Sequence, residues 1–109
     1  MHLAFETREL RSLCEGSHDA QEKYGAVIAN KLRLRLAQIN AAPTPLDLPP
    51  NTYTLLGEGL KQHMIFHLDQ HHCLIVAPNL VDASTDANGI IDWNRVARVK
   101  ITSLEVCDE

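Results

Sequence analysis

The stretch from Asn88 to Val106, NGIIDWNRVARVKITSLEV, constrains the fold more than any other part of the chain. Asn88-Gly89 is a turn signal, and Trp93 is the only tryptophan. Beyond it Arg98, Lys100 and Thr102 alternate with Val99, Ile101 and Ser103, the period of two that a strand with one buried face requires. Such a strand closes a small sheet, so the remaining segments are read by what they pack against it or beside it.

The rest of the second half also reads as strands. Thr52 to Leu56 forms one and Gly57-Glu58-Gly59 turns the chain. Met64 to Leu68 forms the next, with Met64, Phe66 and Leu68 on one face and His63, Ile65 and His67 together on the other. Asp69-Gln70-His71 makes a hairpin loop, Cys73 to Ala77 a third strand ended by Pro78, and residues 79–89 an irregular excursion rich in turn formers. In the first half, His2 to Phe5 suits an opening strand, and Thr7 caps a brief helix through Leu10, Leu13 and Cys14. Glu15-Gly16-Ser17 breaks that helix. From Asp19 to about Ala42, Tyr24, Val27, Ile28, Leu32, Leu36 and Ile39 recur at helical spacing, which predicts one long helix capped by Ser17. Pro43, Pro45, Pro49 and Pro50 then force an extended connection. The expected architecture is a single α+β domain over 1–109, its N-terminal strand and two helices packed on one face of a mostly antiparallel sheet.

A chain of 109 residues supports one core but buries only about two thirds of its unfolded surface. The 10 Lys and Arg against 14 Asp and Glu give a formal charge of -4, which argues against a surface that grips nucleic acid throughout and leaves room for a local basic patch. Cys14, Cys73 and Cys107 are odd in number and lack CxxC spacing, so the sequence indicates neither a disulfide framework nor a zinc ribbon, and reduced thiols are expected. No apolar run approaches the roughly 18 residues of a membrane span, and early charges at Glu6, Arg8 and Glu9 replace a signal-peptide core. A soluble, cytoplasmic protein without membrane contact is expected.

Several clusters carry possible chemistry. Lys31, Arg33 and Arg35 lie close together on the long helix, with Lys31 and Arg35 on one face at i, i+4; they read either as a track for a phosphate backbone or as a solvated cationic face. Six histidines, four of them at His63, His67, His71 and His72 beside Cys73, invite a metal reading. The four-residue spacing serves zinc on a helix, whereas here it falls on a strand and its hairpin, so no metal site is expected. Ser84 to Gly89 imitates a calcium loop, but that register puts Arg95 where a bidentate carboxylate is needed. Ser17-His18-Asp19 suits a helix cap better than a catalytic triad.

With its elements in this order, the chain resembles the RelE/ParE superfamily of toxin-antitoxin toxins, and more closely the HigB-like branch of plasmid maintenance killer proteins. The stretches that carry the resemblance are LAFETRELRSLCE, YGAVIANKLRLRLAQINAA, LDLP, CLIVAPN and NGIIDWNRVARVKITSLEV, with Asp92-Trp93 before the basic strand the sharpest. The resemblance implies a RelE-like fold and a type II toxin that inhibits translation as a ribosome-dependent mRNA endoribonuclease, needing no metal or other cofactor. In that chemistry the 2′-hydroxyl attacks the adjacent phosphate, and the protein supplies a base, an acid and cations. On this sequence the resemblance points to Lys61 for phosphate stabilisation and to His63 and His67 for proton transfer, since imidazole titrates near neutral pH. Arg98 and Lys100, with Lys31 and Arg35, would hold nucleic acid. The implied partners are a cognate antitoxin, expected to be a small helix-turn-helix protein, together with ribosome and mRNA. Two positions depart from the pattern: Cys73 stands where the strand usually begins with arginine, and Cys107-Asp108-Glu109 where relatives often show Tyr-His. The alternative is therefore a non-catalytic binding module of the same fold, acting through an antitoxin or another macromolecule; a ParE-like action on gyrase is a further possibility.

Overall fold

The closing strand, β5 (Arg98–Val106), lies inside the sheet and is paired on both sides in the computed structural model, which describes residues 1–79 and 91–107. On one side it runs parallel to β1 (His2–Phe5), with Leu3 opposite Val99 and Phe5 opposite Ile101. On the other it is antiparallel to β4 (His72–Pro78). Beyond β4 come β3 (His63–His67) and the short edge strand β2 (Thr54–Leu56), giving the order β1-β5-β4-β3-β2. The sheet is thus mixed, antiparallel except at its β1 edge.

Alternation along these strands divides their residues between two faces. Met64, Phe66, Leu74, Val76, Val99 and Ile101 are fully buried and pack with Ile28, Ala29, Leu32 and Ile39 of the helical layer. The expected alternation in β5 fails at one place. Ile75 pairs with Ser103 but Val76 pairs with Ile101, so Thr102 is an extra residue, its hydroxyl donating to the Ile75 carbonyl at 3.2 Å. A bulge of this kind advances the pleat by one residue: Leu104 now packs against the core, and Ser103 exchanges the expected buried face for the other one.

Among the described residues the helical layer holds three helices, not two: α1 (Arg8–Glu15), α2 (Ser17–Tyr24) and α3 (Ala26–Ala41). Thr7 caps α1 as expected, its hydroxyl accepting from the Leu10 amide at 3.1 Å. The long helix expected from Asp19 is divided at Gly25, whose φ of 90° lies where only glycine rests without penalty, and α2 begins two residues earlier, at Ser17, with Gly16 as its cap. Periodicity missed the break because Tyr24, Val27 and Ile28 continue the helical spacing across it, yet Val27 points outward and is 76% exposed. The proline-rich connection is held by Tyr53, whose hydroxyl donates to the Pro45 carbonyl at 3.2 Å, and by a capping box between Thr44 and Asp47. Among the described residues no helix is long and apolar enough to cross a membrane.

Candidate functional site on the open sheet face

The face of the sheet opposite the helices carries the chemistry. Because Met64 and Phe66 point into the core, His63, Ile65 and His67 must point away from it. By the same alternation Cys73 and Ile75 of β4, and Arg98, Lys100 and Glu105 of β5, share that face. The candidate groups fall at two ends of it.

At one end Lys61 closes a 3-10 turn, Gly59–Lys61, and is exposed. The Nδ1 of His63 donates to the Lys61 carbonyl at 3.0 Å, so that imidazole is held by the backbone of the residue beside which it was expected to work. Two other residues shape this turn. Gly57 has φ 91°, and a Cβ there would stand 2.5 Å from the same Lys61 carbonyl oxygen. Trp93, in the 3-10 turn Trp93–Arg95 capped by Asp92, donates from Nε1 to Gln62 Oε1 at 2.7 Å. The tryptophan therefore ties the segment entering β5 to the turn that presents Lys61. The Asn88-Gly89 turn and the calcium-like loop lie outside the described residues.

At the other end His67 stands directly opposite Cys73 in the β3–β4 ladder. Cys73 is bonded to Cys107 as a disulfide, with their Cα atoms 5.8 Å apart, a separation ordinary for such a bridge. The expectation of three reduced thiols is corrected here. Cys73 is the second residue of β4 and Cys107 directly follows β5, so antiparallel pairing of the two strands brings them together, and Cys107 is fixed further by its amide donating to the His71 carbonyl at 2.7 Å. Spacing in sequence could not show this; the signal available was that a residue starting one strand meets a residue ending its antiparallel neighbour. The potential ligand atoms of His67, Cys73 and Cys107 all lie within 4.8 Å of one another. Cys14, on α1, is the remaining thiol, and burial followed by the neighbouring Glu15 carboxylate pushes its pKa up to about 11.

His63 and His67 share a face but are four residues apart on an extended strand, roughly 13 Å at about 3.3 Å per residue. The strand thus sets His63 toward the Lys61 turn and His67 toward the sulfur pair. His72 is engaged elsewhere: Asp69 Oδ1 accepts from its Nδ1 at 3.1 Å and from the His71 and His72 amides at 2.7 Å each, and Tyr24 packs edge-on against its ring. The His71 amide, chiefly, with the His72 side chain and amide, holds the Asp69 carboxyl below its ordinary pKa against a smaller opposing contribution from burial.

The four residues expected to hold nucleic acid lie on two sides of the sheet. Lys31 and Arg35 ride on α3 in the helical layer, whereas Arg98 and Lys100 project from the opposite side of the sheet. Arg35 donates from Nη1 to Gln38 Oε1 at 3.0 Å, and its buried Nε has no hydrogen-bond partner among the described residues. Lys100 Nζ lies 2.9 Å from Glu6 Oε2, so its charge is largely answered. Arg98 is the exposed cation of the pair.

What this geometry defines is an α+β domain with a five-stranded mixed sheet, helices on one face and a second face bearing imidazole, sulfur and cationic groups. Neither a protein-family model, nor a curated protein, nor a solved structure matches the chain.

Proposed function

We propose that this chain is a RelE-like, HigB-like module of a type II toxin-antitoxin pair that acts by binding, engaging a cognate antitoxin and a macromolecular target without cutting RNA. The observation that carries the choice of binding over cleavage is the dispersal of the groups that general acid-base chemistry would need. Lys61 and His63 stand at one end of the open face, His67 about 13 Å away along the strand, and Cys73, where the resemblance expects arginine, is tied to Cys107 in a disulfide. In-line attack on a phosphate requires base, acid and cation within hydrogen-bond reach of one group of atoms. Binding needs only complementary surface. Exposed Leu56 and Leu60 flank the turn beside the short edge strand β2, the kind of edge to which a partner segment adds.

A weakened nuclease is the second reading, favoured by the adjacency of Lys61 and His63 on a face that also carries Arg98. Induced expression in a bacterium, with and without a helix-turn-helix protein from the adjoining reading frame, separates the two. The binding reading expects growth arrest relieved by the neighbour, no new transcript ends, and undiminished arrest with Lys61→Ala. Transcript cleavage that vanishes in Lys61→Ala would establish the nuclease instead, and normal growth at high soluble expression would remove the toxin reading altogether.

A further inference from the structure

Two sulfurs and an imidazole meet at the corner of the open face formed by the start of β4, the end of β3 and the residue after β5. We propose that this corner is a redox-gated site for a soft or borderline d10 cation: the Cys73–Cys107 disulfide is its closed form, and the two thiolates with His67 are its ligands when the bond is reduced. The inference goes beyond the binding function and does not depend on it.

Thiolate and imidazole together select zinc or copper(I) over magnesium or calcium, which take oxygen. A tetrahedral zinc ion with Zn–S of about 2.3 Å holds two sulfurs about 3.8 Å apart, and its nitrogen ligand at a similar distance from each. Three donor atoms all within 4.8 Å of one another already meet that condition to within a side-chain rotation. The backbone need not move: the Cα separation of 5.8 Å is fixed by the β4–β5 ladder and by the Cys107 amide on the His71 carbonyl. His67 is the histidine available for the task. His63 is bound to the Lys61 carbonyl and His72 to Asp69, whereas His67 has no hydrogen-bond or ion-pair partner among the described residues and is exposed. Three protein ligands leave a fourth position for water on the solvent side, as zinc sites with an open coordination position do.

Charge explains why the two states exclude each other. A disulfide has no thiolate to offer. A dithiol reductant opens it by taking up one sulfur as a mixed disulfide and then leaving as its own cyclic disulfide; its two protons pass to the Cys73 and Cys107 sulfurs. Metal binding displaces both protons, and two thiolates beside a neutral imidazole cancel the charge of a divalent ion, which permits it to sit against Cys73, a residue only 1% exposed.

The test uses the full chain and zinc ion. A trialkylphosphine is the reductant, because it takes its oxygen from water, gives that water's two hydrogens to the sulfurs and leaves the metal free. Native mass spectrometry and competition with a chromophoric chelator should find one zinc per reduced chain and none per oxidised chain. Cys73→Ser and His67→Gln should each weaken binding by at least about a hundredfold, since even losing an outer hydrogen bond to a ligand costs about 10–100-fold, and Cys14→Ser should leave it unchanged. Alkylation after denaturation should label one cysteine in the oxidised chain and three after reduction. His67→Gln alters an exposed residue, so it keeps the test valid should Cys73→Ser misfold. No zinc on the reduced chain at tens of micromolar, or full affinity in His67→Gln, would overturn the site; three labelled cysteines in the chain after exposure to a disulfide oxidant would overturn the gate.

Discussion

The two faces of the sheet are cut from the same strands and have opposite properties. On β3, Phe66 is fully buried and packs with Tyr53, their ring centroids 5.7 Å apart, while His67, the next residue, is exposed and faces the sulfur pair. One face is apolar and closed by three helices. The other is uncovered by them and holds His63, His67, Cys73, Arg98 and Lys100. The contrast teaches that neighbouring residues of one strand can divide between packing and chemistry at a single peptide bond.

The largest effect should come from the closed face. Phe66→Ala removes a fully buried ring and should cost about 3–5 kcal/mol, against a change within about 0.5 kcal/mol for His67→Ala in the metal-free chain. Equal losses in denaturant titrations would show that the faces are not independent. Next comes the one covalent link on the open face. The bridge closes a loop with a sequence separation of 34, for which chain entropy gives about 3–4 kcal/mol. Reduction of the wild type should lower the denaturation midpoint accordingly, and a Cys107→Ser chain should not respond to reductant.

The turn at the Lys61 end offers a smaller, local effect. Gly57→Ala forces a side chain onto a residue at φ 91° and against the Lys61 carbonyl, so it should cost about 1–3 kcal/mol and disturb the ring resonances of His63 more than those of His67. Glu6→Gln leaves Lys100 unanswered at a half-exposed pair and should change stability by less than about 1 kcal/mol; the readout is stronger, more salt-sensitive retention on a polyphosphate resin. The smallest effect appears only in acid. The Asp69 carboxyl is held below its ordinary pKa of 3.8, so the folded state binds that proton less readily than the unfolded one. Its contribution is fully present above the ordinary carboxylate range and is lost as the pH falls through the depressed value. Asp69→Asn should flatten the acid limb of the stability profile there and leave the neutral region's slope unchanged.

Much of the closed face was legible in the sequence. Alternation in Met64-Ile65-Phe66-His67-Leu68 assigned each residue to its face, and Thr7 announced its helix, because both signals are local. The break at Gly25 and the bulge at Thr102 were hidden for one reason: each preserves an apolar pattern on both sides while shifting its phase. The open face was legible only as a collection of residue types. His63 and His67 project on one face of β3, but what each meets there, the Lys61 carbonyl for one and the sulfur pair for the other, depends on the turn before the strand and on the pairing of β4 with β5.

The sequence by itself determined the order of the strands, the Thr7 cap of the first helix and the apolar face of β3, since these follow from side chains acting on their own stretch of backbone. Tertiary structure alone decided that β1 enters parallel beside β5, that Cys73 meets Cys107 across 34 positions of chain, and that Lys31 and Arg35 lie on the far side of the sheet from Arg98 and Lys100. Those facts depend on which strands pair and in what register. Pairing is set by the burial of the whole apolar face at once, a property no single segment carries.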